Sequence, residues 1–274
     1  MAERKEYLEQ LKAWKDEQVI KVVTGIRRCG KSTLLSQYQQ QLKTTGITDE
    51  QIVSVNFEEL EYEELLDYRK LYSYLKERLC AEKTTYIFLD EIQKVPFFEK
   101  VVDSLYVKPN VDIYIIGSNA YMLSGDLATL LTGRYVEIKM LPLSFREFLC
   151  ITGMDAERGL AEYLRDGGLP YIAVMDRTAG KVEIYLEGIY NTVIVKDIED
   201  RQARKESNPD KRKITDILPR RQYDLGFSLE NIVYFELLRR GYRVMIGKVG
   251  STEVDFVAEK QGVYVYFQVT ADMT

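Results

Sequence analysis

Between residues 19 and 35 the chain reads VIKVVTGIRRCGKSTLL, where Gly25, Gly30, Lys31 and Ser32 have the types and spacing needed to hold a row of phosphates. The two glycines let the backbone turn tightly enough to aim successive N–H groups inward, where a Cβ would obstruct. Lys31 would place a point charge on the β- and γ-phosphates, and Ser32 would offer its hydroxyl to Mg²⁺. Ile26, Arg27, Arg28 and Cys29 between them, and Thr33 after them, belong to the same expected cradle. A helix starting at this point would direct its positive dipole end at the anion. The pattern implies a nucleotide site.

A second cluster lies 59 residues beyond Lys31, where TYIFLDE ends in Asp90 and Glu91. Asp90 is expected to hold Mg²⁺, directly or through water. Glu91 is expected to orient or deprotonate an attacking water, chemistry that separates a nucleotide hydrolase from a small-molecule kinase. The run VDIYIIGSNA puts Ser118 and Asn119 after another apolar stretch, where either side chain could bond the γ-phosphate or the water. Arg134 opens RYVEIKMLPLS, and its guanidinium could neutralise charge developing on the γ-phosphate. Asn56 and Glu58 close QIVSVNF and are weaker candidates of the same kind.

These residues need a scaffold that brings strand ends together. The runs VIKVV, QIVSVNF, TYIFLDE, VDIYIIGSNA and RYVEIKMLPLS read as strands, their apolar stretches those of strands buried on both faces of a parallel sheet. Amphipathic helical stretches separate them, so the fold expected over residues 1–143 is α/β, a parallel sheet with helices on both faces, its ligand edge at the strands' carboxyl ends. Ahead of the first strand, Tyr7, Leu8, Leu11 and Trp14 share one face of a helix over residues 3–16. From SFREFLCIT through AERGLAEYLRDG, a GGLPYIA turn and a long helix from Lys181, residues 144–200 read as a helical lid. Residues 201–224 are rich in Arg and Lys without apolar periodicity and read as a basic linker. Residues 225–274 change to an αβββ order, with Asp255 ending one strand and Gln268 and Thr270 sharing a face of the last.

Composition sets outer limits. A chain of 274 residues with 46% hydrophobic and 30% charged residues can bury a real core. No apolar run approaches a membrane span, and the charged amino terminus lacks the centre of a secretory signal, so a cytoplasmic protein without a membrane partner is expected. Cys29, Cys80 and Cys150 are far apart and histidine is absent, which excludes a zinc site and a histidine-based triad. Cys29 reads as simply a small residue of the phosphate loop, although the helix N-terminus there should make its thiol more acidic and modifiable. The net charge of −5 argues against a wholly electrostatic nucleic-acid binder but permits a basic patch.

Taken together, TGIRRCGKSTLL, IFLDEIQKVPFF, IIGSNA, LLTGRYVEIKMLPLSFREF, GGLP and LENIVYFELLRRGYRV with EVDFV and FQVT resemble the prokaryotic P-loop ATPases of the AAA superfamily that carry a carboxyl-terminal domain resembling restriction endonucleases. The resemblance implies ATP and Mg²⁺ as ligands. It matches Gly25 to Ser32 to the Walker A loop, Asp90 and Glu91 to Walker B, Ser118 and Asn119 to the sensor position, and Arg134 to the glycine-arginine motif. Two departures accompany it. The winged-helix module that family members place before the nuclease-like part is missing, since KRKITDI runs almost directly into LPRRQYD. Glu230, Asp255 and Gln268 fit the nuclease pattern, but Thr270 stands where it needs lysine, so the carboxyl-terminal piece is read as non-catalytic. The expected activity is Mg²⁺-dependent ATP hydrolysis coupled to movement of the lid or of a partner. A nucleotide-gated module for DNA or protein stays open beside it, with a metal-dependent nuclease a distant third and the oligomeric state undetermined.

Overall fold

The structure, a computed structural model, describes residues 4–117, 131, 133–176, 180–189, 225–249 and 252–270. These belong to two compact units, one ending at Pro142 and the next beginning at Leu143.

The first unit is built on five parallel strands in the order β2-β3-β4-β1-β5: β1 (Ile20–Thr24), β2 (Ile52–Asn56), β3 (Thr85–Asp90), β4 (Val111–Ile116) and β5 (Tyr135–Lys139). Alternation along each strand sorts the side chains into two cores. Ile20, Val22, Val55, Ile87, Leu89 and Ile115 face one way and pack with Leu71, Leu75, Val101 and Leu105 from α3 (Tyr68–Glu77) and α4 (Phe98–Tyr106). Val23, Phe88, Tyr114, Ile116 and Ile138 face the other way, against Leu8, Leu11, Leu34 and Tyr38 from α1 (Lys5–Ala13) and α2 (Lys31–Thr44). The sheet is therefore covered on both faces, as the unbroken apolar strands require. The acidic run after β2 folds as a 3-10 turn over Leu60–Leu66 rather than an α-helix, and Asp67 then caps α3 by accepting the Arg69 and Lys70 N–H groups.

At the strands' amino-terminal edge lies a buried polar network. Lys21 Nζ is 2.5 Å from Asp112 Oδ1, with both side chains excluded from solvent. Asp112 Oδ2 accepts from the Asp16 N–H at 2.9 Å and the Tyr114 hydroxyl at 2.9 Å, and the Tyr114 and Tyr38 hydroxyls lie 3.2 Å apart. Burial pushes the Asp112 carboxyl up despite the neighbouring lysine, and pushes Tyr38 and Tyr86 up to about 12.

The second unit starts with α5 (Phe145–Thr152), opened by a capping box in which Ser144 Oγ accepts the Glu147 N–H and Glu147 accepts the Ser144 N–H. Next come α6 (Ala156–Asp166), α7 (Pro170–Val174) and α8 (Lys181–Ile189). The expected GGLPYIA turn closes into α7 because Pro170 takes the first helical position, where its missing N–H costs nothing. Helix α9 (Leu225–Arg239) precedes an antiparallel sheet of β6 (Arg243–Val249), β7 (Thr252–Lys260) and β8 (Val263–Phe267). Ile232 of α9 packs against Leu143, Phe148, Tyr163 and Ala173, so the stretch read as a lid and the αβββ piece share one unit. The basic linker at 201–224 lies outside the described residues. Asp255 lies inside β7 rather than at its end, and β8 stops at Phe267, so Gln268 and Thr270 are not strand residues.

Candidate functional site

Strand β1 delivers the chain to Gly25 at the carboxyl edge of the sheet, and the following residues curl back into α2. The curl requires left-handed backbone, with φ of 65° at Arg28 and 97° at Gly30. Gly25 is held by packing as well as by its φ of 152°, since an added Cβ would stand 2.3 Å from the Met140 carbonyl oxygen. The amino end of the 14-residue α2 has no side-chain cap and no acid in its first turn. Its amides are therefore available to an anion, and the helix dipole favours one. The buried Lys31 donates from Nζ to the carbonyl oxygens of Gly25 at 3.0 Å and Ile26 at 2.9 Å, which places its ammonium across the mouth of the loop. Ile26 and Arg28 are exposed, Arg27 half-buried. Cys29 departs from expectation: it is fully buried, and burial pushes its thiol up, outweighing the pull of Lys31 and Arg4.

Strand β3 brings Asp90 to the same place. Burial raises its carboxyl above the ordinary carboxylate range; the Ser32 hydroxyl and Lys31 pull it down, while Glu91 and Glu58 push it up. These influences put Asp90 beside Lys31 and Ser32, residues 59 and 58 positions earlier in the chain. Asp90 Oδ1 is buried with no hydrogen-bond partner. A hydroxyl and a carboxylate oxygen awaiting a partner are hard ligands that suit Mg²⁺. Among the described residues there is no cluster of three His, Cys, Asp or Glu side chains, so an ion here would draw its remaining ligands from phosphates and water. Glu91 has left-handed backbone at φ 54°, and its carboxylate accepts from Gln93 Nε2.

Other candidates fare differently. Ser118 and Asn119 lie outside the described residues. The Asn56 side chain closes a local turn, accepting the Glu58 N–H and donating to Glu59, each at 3.0 Å, whereas Glu58 is near enough to act on Asp90. Arg134 does not come to the phosphate loop. Its carbonyl accepts the Ile20 N–H at the beginning of β1, whereas Gly25 follows the end of that strand, so about 15 Å of strand separates them. Its guanidinium instead lies 3.4 Å from Asp103 Oδ1 and over the Tyr106 ring. In the second unit, Asp255 Oδ2 accepts the Val269 N–H at 2.6 Å. The nuclease pattern thus gains no metal cluster among the described residues.

Sequence reasoning missed the contacts that hold β5 and the segment leaving it. The Thr24 hydroxyl donates to Glu137 at 2.7 Å, the Met140 N–H to Thr24 O at 2.8 Å, and the Leu141 N–H to the Tyr7 hydroxyl at 3.0 Å. Arg4 and Gln93 were missed as well. None of them has a motif spacing, because all but Gln93, which bonds Glu91 two residues before it, act through tertiary contacts.

Residues 17–149 match a family described as an AAA domain. An uncharacterized protein of Haemophilus influenzae is 35% identical over 352 aligned positions, covering 100% of this chain and 88% of the relative. Since this chain has 274 residues, at least 78 of those positions have no counterpart in it. An uncharacterized protein of Methanocaldococcus jannaschii is 31% identical over 196 positions, 64% of this chain and 42% of that one. Among solved structures, the Walker-type ATPase of Pyrococcus abyssi matches at 16% identity and TM-score 0.45 over 74% of this chain and 76% of its own. PCH-2 of C. elegans matches at 14% identity and TM-score 0.40 over 65% and 47%. With Lys31, Ser32 and Asp90 gathered at one edge of a parallel sheet, the chain belongs to the family of the Haemophilus influenzae protein and carries an AAA domain over residues 17–149.

Proposed function

We propose that the protein binds ATP with Mg²⁺ and hydrolyses it, using the turnover to move the helical part of its second unit or a partner. The observation that carries this reading is the unpartnered buried oxygen of Asp90 beside Ser32 and Lys31. Bound Mg²⁺ would neutralise charge on the β- and γ-phosphates. The amides of the loop and of the first turn of α2 hold the phosphates, and Lys31 exchanges its two carbonyl partners for phosphate oxygens. Ser32 and Asp90 hold the cation. Glu91 orients a water and takes its proton as the oxygen attacks the γ-phosphorus, while the bond to the β–γ bridging oxygen breaks and ADP leaves with that electron pair.

The test compares wild type with Lys31→Ala and Glu91→Gln. Wild type is expected to release phosphate slowly from Mg·ATP, Lys31→Ala to lose both binding and turnover, and Glu91→Gln to keep binding without turnover. Equal phosphate release by all three proteins would defeat the reading. Titration with ATP and GTP, with and without Mg²⁺, checks the choice of base and the cation.

A second reading, a nucleotide-gated module in which occupancy alone sets affinity for DNA or protein, draws support from the Gln93 contact, because a carboxylate already accepting a hydrogen bond is a poorer base. If a non-hydrolysable analogue supports partner binding as well as ATP does, that second reading prevails.

A further inference from the structure

We infer that Arg4 is a positioning residue for phosphate binding, orienting the Gly30 amide from behind the loop; the inference rests on the nucleotide reading above. Arg4 immediately precedes α1 and is 96% removed from solvent, unusual for a residue with so large a charged side chain. Its Nη1 donates to the Cys29 carbonyl at 3.4 Å, and its Nη2 to the carbonyls of Leu141 at 2.8 Å and Pro142 at 3.4 Å. Its guanidinium carbon lies 4.8 Å from the centre of the Tyr7 ring. One planar fork thus joins the phosphate loop to the segment leaving β5, a task that a single ammonium does not perform.

The consequence follows from peptide geometry. The Cys29 carbonyl and the Gly30 N–H belong to one peptide unit, which is planar and trans, so the two bonds point in opposite directions. Drawing the carbonyl back toward Arg4 turns the Gly30 N–H outward, toward the side from which the loop receives phosphate. Gly30, left-handed and without a Cβ, would otherwise allow this peptide to flip at little cost. Arg4 removes that freedom in advance, so less ordering remains to be done when the anion arrives. Leu141, Pro142 and the Tyr7 ring keep Arg4 itself in place.

The experiment titrates Mg·ATP calorimetrically into the full chain as wild type, Arg4→Met, Arg4→Lys and Tyr7→Phe, with a melting temperature for each. Tyr7→Phe removes the acceptor of the Leu141 N–H, so it weakens the same segment without touching the loop. Arg4→Met is expected to weaken binding about ten- to a hundredfold, the loss of one hydrogen bond to a charged group, and Arg4→Lys by less. Tyr7→Phe is expected to lower the melting temperature while leaving affinity within about twofold, a difference that a merely structural role for Arg4 would not produce. If Arg4→Met does not fold, Arg4→Lys against Tyr7→Phe decides. Wild-type affinity in a folded Arg4 variant, or an equal loss in Tyr7→Phe, overturns the inference and leaves the nucleotide site standing. Failure of wild type to bind Mg·ATP overturns both.

Discussion

Replacing Asp90 with asparagine should stabilise the protein in the absence of metal and nucleotide while removing its response to Mg²⁺. The carboxylate is raised chiefly by burial, Glu91 and Glu58 repel it, and its Oδ1 has no partner. An unsatisfied buried polar atom costs about 1–3 kcal/mol, and asparagine keeps the shape while removing the charge. Because the amide retains an unpaired atom, the lower end applies, about 1 kcal/mol, or about 2–4 °C in melting temperature for a chain of this size. With Mg·ATP at a hundred times its dissociation constant, wild type should gain about 2.7 kcal/mol, and the variant should lose most of the Mg²⁺-dependent part of that gain. The order of the two melting temperatures is thus expected to reverse between EDTA and Mg·ATP.

The same residue fixes the sign of a pH effect. A carboxyl whose folded pKa is raised contributes a penalty as pH climbs from its unfolded value through the folded one, and the penalty persists above. Wild type and Asp90→Asn should therefore melt together in acid and diverge toward neutrality, asparagine the more stable. Thermal melts from pH 4 to pH 8 in EDTA, read by circular dichroism, test both halves. The reasoning is refuted if Asp90→Asn melts below wild type at neutral pH without metal, or if both proteins gain equally from Mg²⁺.

Three further outcomes follow from the described contacts. Lys21→Met should cost about 3–5 kcal/mol by stranding the buried Asp112 charge, with stability partly recovered on acidification, whereas Lys21→Met with Asp112→Leu should restore most of it in urea unfolding. Gln93→Ala should raise basal phosphate release severalfold by removing one hydrogen bond that the Glu91 carboxylate accepts, and a decrease would mean that Gln93 positions the base rather than restrains it. Arg134→Ala should leave the affinity of a single chain for ATP within about twofold, because Arg134 stands at the far end of β1 from the phosphate loop, and a tenfold loss in calorimetry would contradict that placement.

Much of the first unit was legible because local and global signals agree. The apolar strands, the glycine turn and α2 each follow from period and turn chemistry, so every expected strand of the parallel sheet forms, although β4 stops at Ile116 and β5 at Lys139, short of their expected ends. Asp90 and Glu91 were legible because a parallel strand presents its last residues at the ligand edge. What stayed hidden depends on strand order and on burial. Arg134 reads as a plausible partner for phosphate until β5 is seen to run parallel to β1, which puts the start of both strands at the edge away from Gly25. Cys29 illustrates the second kind: proximity to a helix terminus argues for an acidic thiol, yet complete burial dominates and raises it. Arg4, which meets Cys29 and Leu141 only in the folded chain, could not be picked out before β5 and the loop were brought together around it.

Two aspartates of the same sheet show why burial by itself does not mark a functional group. Asp112 on β4 and Asp90 on β3 are both raised by burial, each with a lysine nearby. Around Asp112 both oxygens are satisfied, Oδ1 by Lys21 and Oδ2 by the Asp16 amide and the Tyr114 hydroxyl, so its charge has nothing left to bind and the group serves the fold. Around Asp90 the first turn of α2 supplies one hydroxyl and an oxygen is left unmet, at the edge where an uncapped helix end and Lys31 also face inward. The protein tolerates there an unpaired oxygen of a kind that it pairs at the opposite edge of the sheet, and a divalent cation carried in with phosphates would remove both the repulsion among the acids and the unpaired oxygen. The asymmetry between two similar carboxylates, rather than the burial of either, is what assigns the chemistry to the carboxyl edge.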